Sequence, residues 1–118
     1  MSVLSQTETI DQIKQACFIR YQTDKLPAKL NDREAFNVIK EEVTPQFQLM
    51  EQWEDQLLSD IKTHALSIHP SLVQSTRENM ELIIMHSFYH DTDEKRFHEL
   101  VKSVDVVLDM VRRVYQHD

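Results

Sequence analysis

Glycine is absent from this chain of 118 residues. That argues against β-hairpins, whose favoured tight turns need residues at positive φ. It also removes the glycine-rich phosphate loops of the common nucleotide-binding motifs and the glycine-flanked serine of a nucleophile elbow. Helix stops must then come from proline, asparagine, aspartate or loss of the apolar pattern. Cysteine occurs once, as Cys17, so no internal disulfide can form. No apolar run approaches the ~20 residues that a membrane-spanning helix needs. The start, MSVLSQTETIDQ, has no basic segment followed by an apolar core, so it does not read as a signal peptide. Together these features point to a reduced, cytoplasmic setting. Basic charge is in deficit: Lys and Arg number 13 against 20 Asp and Glu, a formal net charge of −7. The basic pairs Lys95-Arg96 and Arg112-Arg113 are short, which argues against a nucleic-acid surface.

What is present is helical periodicity. One domain fits residues 1–118, and a chain of this length buries roughly two-thirds of its unfolded surface, enough for a single core. A first helix is expected over about 5–22, with Ser5 and Glu8 at capping-box spacing and Thr7 or Thr9 as alternative caps. Ile10, Ile13, Cys17 and Tyr21 form its buried stripe, with Phe18 on the flank. A connection over 23–30 holds Pro27, and Leu26 and Leu30 are expected to pin it to the bundle. Asn31 and Asp32 are good caps for a second helix over about 32–65. Its stripe runs Phe36, Ile39, Val43, Phe47, Met50, Leu57, Ile61, Ala65, with Trp53 at the edge. The phase passes unbroken through Pro45, which favours one long helix kinked there. The rival is two helices, with Thr44 as cap and Pro45 at the first position.

Pro70 opens a third helix over about 70–90, because proline suits a first position whose N–H has no partner. Leu72, Val73, Thr76, Met80, Ile83, Ile84 and Ser87 share one face. A fourth helix, about 92–116, carries Phe97, Leu100, Val101, Val104, Leu108, Val111 and Tyr115. Asp91 or Thr92 is expected to cap it. The expected fold is all-α: an antiparallel up-and-down four-helix bundle, second helix long and kinked near Pro45.

Ile68-His69-Pro70, Thr76, Glu78-Asn79-Met80, Ser87-Phe88 and Lys95-Arg96-Phe97 follow one another in an order and spacing that resembles the YppE-like family of small uncharacterised bacterial proteins. The likeness is good over 67–101 and looser over 1–66; chain length, Pro45 and Trp53 agree with it. The resemblance implies a cytoplasmic helical bundle. It implies no known activity, cofactor or catalytic residue.

Two candidate surfaces remain. Leu82, Met85 and Tyr89 form a second apolar stripe on the third helix, and Val106, Met110 and Val114 a similar one on the fourth. A small bundle needs one stripe per helix, so the second can pack on another neighbour or meet a protein partner or a second copy of the chain. The first functional reading is thus a non-enzymatic protein-interaction or regulatory module, partner-binding through Leu82, Met85 and Tyr89. The alternative is a metal-binding bundle or metal-dependent enzyme using His86 and His90, whose i, i+4 spacing places both rings on one helix face. In outline this pair is similar to the histidine-triad site of DinB-like bundles, but no third histidine is placed beside it. The Glu-x-x-His motifs of di-iron bundles are missing. His69 beside Pro70 reads as a capping or packing residue, and Cys17 as a small core residue.

Overall fold

A computed structural model describes residues 2–23 and 33–116. Over these residues the chain forms four helices: α1 Val3–Thr23, α2 Arg33–His64, α3 Pro70–Tyr89 and α4 Glu94–Gln116. No strand occurs among the described residues. The expected anchors Leu26 and Leu30, Pro27, and the expected caps Asn31 and Asp32 lie outside them.

The helices do not pack as equals. α1 and α3 approach one another and also approach both α2 and α4, whereas α2 and α4 have no close backbone approach. The α1–α3 pair is therefore the spine of a four-helix bundle, with α2 and α4 on its flanks. A flanking helix needs one narrow apolar stripe; a central helix must bury a wide face. α4 meets the first condition, with Phe97, Leu100, Val104, Val107, Leu108 and Val111 buried. α3 meets the second, with Val73, Met80, Ile83 and Ile84 all fully buried. α1 has too few apolar residues for its position and buries Gln6, Thr7 and Lys14 as well.

Buried polar groups cost free energy unless they find partners, and two of the three in α1 are built into contacts. Thr7 Oγ1 donates to the Val3 carbonyl at 2.7 Å and accepts the indole N–H of Trp53 at 3.0 Å. The Trp53 ring, expected at a stripe edge, is completely enclosed. Lys14 Nζ donates to Asp11 Oδ1 at 2.7 Å and to Asp105 on α4. Burial alone would lower the pKa of this ammonium, but the hydrogen bonds from Asp105 and Asp11 outweigh it and raise it.

α2 is one helix through Pro45, so the two-helix alternative fails. The proline costs one backbone hydrogen bond, about 3 kcal/mol or more in a helix interior. Ile39, Val43, Met50, Trp53 and Leu57, buried on both sides of it, keep the helix in register. At 32 residues this helix extends about 48 Å, matching the molecule's 46 Å long axis. Its neighbours have only 20 to 23 residues, so α2 is longer than either helix that packs on it. Phe36, near its start, is 46% exposed, contrary to the stripe expectation.

The helix ends correct several expectations. α1 is capped by Ser2, whose Oγ accepts the Ser5 N–H at 3.0 Å; Ser5 itself lies inside the helix. Asp93, not Asp91 or Thr92, caps α4 by accepting the Arg96 N–H at 2.7 Å. In the absence of glycine, two ordinary residues close helices in the left-handed region: Ala65 at φ 53° and His90 at φ 50°. Ala65 is thus a helix stop exposed to solvent, not the last residue of the α2 stripe.

Candidate functional site

His86 and His90 do not share a helix face. α3 ends at Tyr89, and His90 turns into the left-handed conformation, its N–H closing on the His86 carbonyl at 2.8 Å. The i, i+4 geometry expected of a metal pair needs both residues inside the helix, and the cap removes one of them. His86 Nδ1 instead pairs with Asp91 Oδ1 at 2.6 Å. The His90 ring stacks on Tyr21 of α1, centroids 4.9 Å apart. Tyr21 in turn stacks on Phe97 at 4.0 Å and donates its hydroxyl hydrogen to the Thr92 carbonyl at 2.8 Å. Among the described residues, no three His, Cys, Asp or Glu side chains converge as a metal-ligand set.

Other reactive residue types are likewise engaged. His69 Nδ1 accepts the Ser71 N–H at 3.1 Å, capping α3 beside Pro70. Cys17 is buried, and burial first of all pushes its thiol pKa up; a reactive thiolate needs the reverse. Arg20 lies over the Phe88 ring at 3.9 Å from its centroid and donates to Ser87 Oγ at 2.8 Å. Ser87, one of the small residues on the α3 stripe, donates to the Ile84 carbonyl at 2.6 Å. Between α1 and α4, Arg112 binds Glu8 at 2.6 Å and Asp11 at 2.8 Å. The Arg20 and Arg112 contacts join helices, and His69 Nδ1 also meets Ser71 Oγ at 2.7 Å, a contact local to the cap of α3.

The second apolar stripe of α3 divides on folding. Tyr89 is 8% exposed and belongs to the core, Met85 is half-buried against it, and Leu82 is 39% exposed. The three residues lie within about 60° of one another round the helix axis, so position along α3 decides which is covered: burial rises from Leu82 to Tyr89 at the C-terminal end. Val106, Met110 and Val114 of α4 divide the same way, with Val106 59% exposed and Val114 packed on the core.

Leu82 and Met85 are the α3 wall of an open groove whose other wall is Phe47 of α2. The groove has a volume of ≈ 460 Å³. Its rim is charged. Arg77 Nε donates to Glu54 Oε2 of α2 at 2.7 Å, another guanidinium nitrogen binds Glu81, and a third lies 3.8 Å from Glu78. Glu54 and then Glu81 hold the Arg77 pKa above its usual value. Of the residues lining the groove, Glu78 and Glu81 stand against Arg77, a net charge of −1, and Glu54 neutralises Arg77 from α2. Glu51 lies one helical turn beyond Phe47 on α2 and is exposed.

Leu82 and Met85 were legible in the sequence as surface candidates; Phe47 was not, since it fits the α2 core stripe. The i, i+4 pair Arg77–Glu81 is a local signal, whereas Glu54 joins it only through the packing of α2 on α3.

The chain matches, over residues 7–114, the sequence model of a bacterial domain of unknown function, DUF1798. No curated protein matches it. Two solved structures of YppE from Bacillus subtilis share the fold. The crystal structure superposes with a TM-score of 0.83 at 21% identity, covering 98% of this chain and 93% of that one. The solution structure gives 0.75 at 23% identity, with 96% of each chain covered.

Proposed function

The chain belongs to this bacterial DUF1798 family, and from that premise we propose that it works by docking a segment of another protein, not by chemistry at a catalytic centre. The observation that carries the reading is the open groove between α2 and α3, where Leu82 is 39% exposed beside Met85 and Phe47. One exposed and two half-buried apolar residues in a depression form a contact surface, and a groove between two helices suits an amphipathic helix. Engagement of His86, His69 and Cys17 in structural contacts supports the same reading. The setting in this reading is the cytoplasm. One buried thiol fits a reducing compartment, and no helix among the described residues is long and apolar enough to cross a membrane.

The test is photocrosslinking in the native bacterium, with a photoreactive amino acid at position 82 or, for comparison, at 106. Both sites are exposed. The docking reading expects a discrete adduct from position 82 that disappears with Met85→Lys. Adducts of equal yield at both positions, or none at 82, would refute it.

A further inference from the structure

The groove between α2 and α3 has an apolar floor and an acidic rim, and that combination selects its occupant. Leu82, Met85 and Phe47 offer the floor. Glu78 and Glu81 stand one turn before Leu82 and Met85 on the same faces of α3. Glu51 stands one turn after Phe47 on the opposite wall. Arg77, the one cation lining the groove among the described residues, is already held by Glu54 and Glu81. It is unavailable to a carboxylate on an incoming chain without breaking those bonds. Of the three carboxylates around Arg77, Glu78 is the most exposed, its side chain 65% open to solvent.

Resting on the docking reading above, we infer that the partner of this groove is a basic amphipathic helix: apolar residues at i, i+3/i+4 and i+7 against Leu82, Met85 and Phe47, flanked by Lys or Arg facing Glu78, Glu81 and Glu51. A second copy of this chain is the wrong occupant. Its own net charge is −7, and pairing two acidic rims across an apolar seam sets like charges within the ~8 Å over which they still repel at physiological salt. A cationic helix turns the same charges into attraction, and opposite potentials across an interface raise the association rate and reject wrong partners.

Three synthetic helical peptides test this on the full chain: one of leucine and lysine in amphipathic order, one of the same composition with the leucines scattered round the helix, and one of leucine and glutamate in amphipathic order. Binding is read by titration calorimetry, and its location by amide shifts of the labelled protein. The ordered leucine–lysine peptide is expected to bind with shifts centred on Phe47, Glu78, Leu82 and Met85. Its affinity should fall at least about tenfold, equivalent to about 1.4 kcal/mol, with Leu82→Asp. Glu78→Lys should weaken it several-fold, and so should raising salt from about 0.05 to about 0.5 M. The other two peptides should not shift Leu82 or Met85. Equal binding of the leucine–glutamate peptide in the groove would overturn the charge inference and leave the docking reading intact. Absence of shifts at Leu82 and Met85 with every peptide would sink both. Equal binding of the scattered peptide would reduce the effect to bulk attraction between opposite charges and overturn the inference. Self-association in sedimentation that Leu82→Asp abolishes would identify a second copy as the occupant and overturn it too.

Discussion

Replacing Ala65 by glycine should stabilise this protein, although the same change inside a helix does the reverse. Ala65 follows the last residue of α2 and sits at φ 53°, where its Cβ crowds the neighbouring carbonyl. That conformation costs an L-residue about 1–2 kcal/mol. Glycine escapes the cost in the folded state but loses more entropy on folding, about 0.5–1 kcal/mol. Ala65 is exposed, so its methyl group has little packing to forfeit. The difference leaves Ala65→Gly about 0.5–1 kcal/mol more stable. In a chain of 118 residues that corresponds to a rise in Tm of about 2–4 °C. The comparison is Ala16→Gly, also exposed but inside α1, which should cost about 1 kcal/mol. Urea unfolding followed by far-ultraviolet circular dichroism measures both variants. The sign is the test: if both lose stability by similar amounts, Ala65 is not held at positive φ, and glycine-free termination of α2 works some other way.

Other consequences follow from the buried contacts. Thr7→Val keeps the shape of the side chain but leaves the enclosed Trp53 N–H without its acceptor; it should cost about 1–3 kcal/mol, whereas Thr7→Ser, which keeps the hydroxyl, should cost about 1 kcal/mol for the lost methyl, both read from urea midpoints. Ile83→Ala, at a fully buried position of α3, should cost about 2–5 kcal/mol, while Leu82→Asp next to it, already 39% exposed, should cost less, about 1–2 kcal/mol, with the circular dichroism spectrum of the parent showing that loss of docking in that variant is not loss of folding. For pH, burial alone would push the Asp11 carboxyl up, but hydrogen bonds and charges from Lys14 and Arg112 win and hold it below its ordinary value. A carboxyl depressed in the folded state gives stability that is complete above the unfolded pKa of about 3.9 and is lost as pH falls through the lower folded value. Asp11→Asn should therefore lower the neutral plateau of a stability–pH curve and flatten part of its acid limb below about pH 4; an unchanged acid limb would show that Asp11 is not the paired group.

Much of the fold lies in the order of residues. Apolar spacing of 3.6 places all four helices, and unbroken phase carries α2 through Pro45. Pro70 marks the start of α3. The core positions Val73, Met80, Ile83, Ile84, Phe97 and Leu108 fall where periodicity puts them. These are local properties: a helix buries one face, and the sequence repeats that face every turn. The same local logic failed at the ends, where the competing caps Ser2 against Ser5, or Asp93 against Asp91, differ only in which side chain meets a free N–H.

What needed the folded chain were relations between distant residues. Lys14 reads as a surface lysine until Asp105 of α4 comes to meet it. Thr7 reads as an alternative cap for α1, but in the fold it accepts the indole N–H of Trp53 from α2. Tyr89, Met85 and Leu82 read as one stripe until packing buries the first, half-covers the second and leaves the third partly in solvent. The groove, with Phe47 from one helix and Leu82 from another, exists only in their packing. Sequence patterning thus settled which residues coil and which face each helix hides, because both are set within a turn or two. Which polar group a buried residue would find, and which apolar residue would be left uncovered, depended on how the four helices stand beside one another, and that is decided by the competition of all their faces for one shared interior.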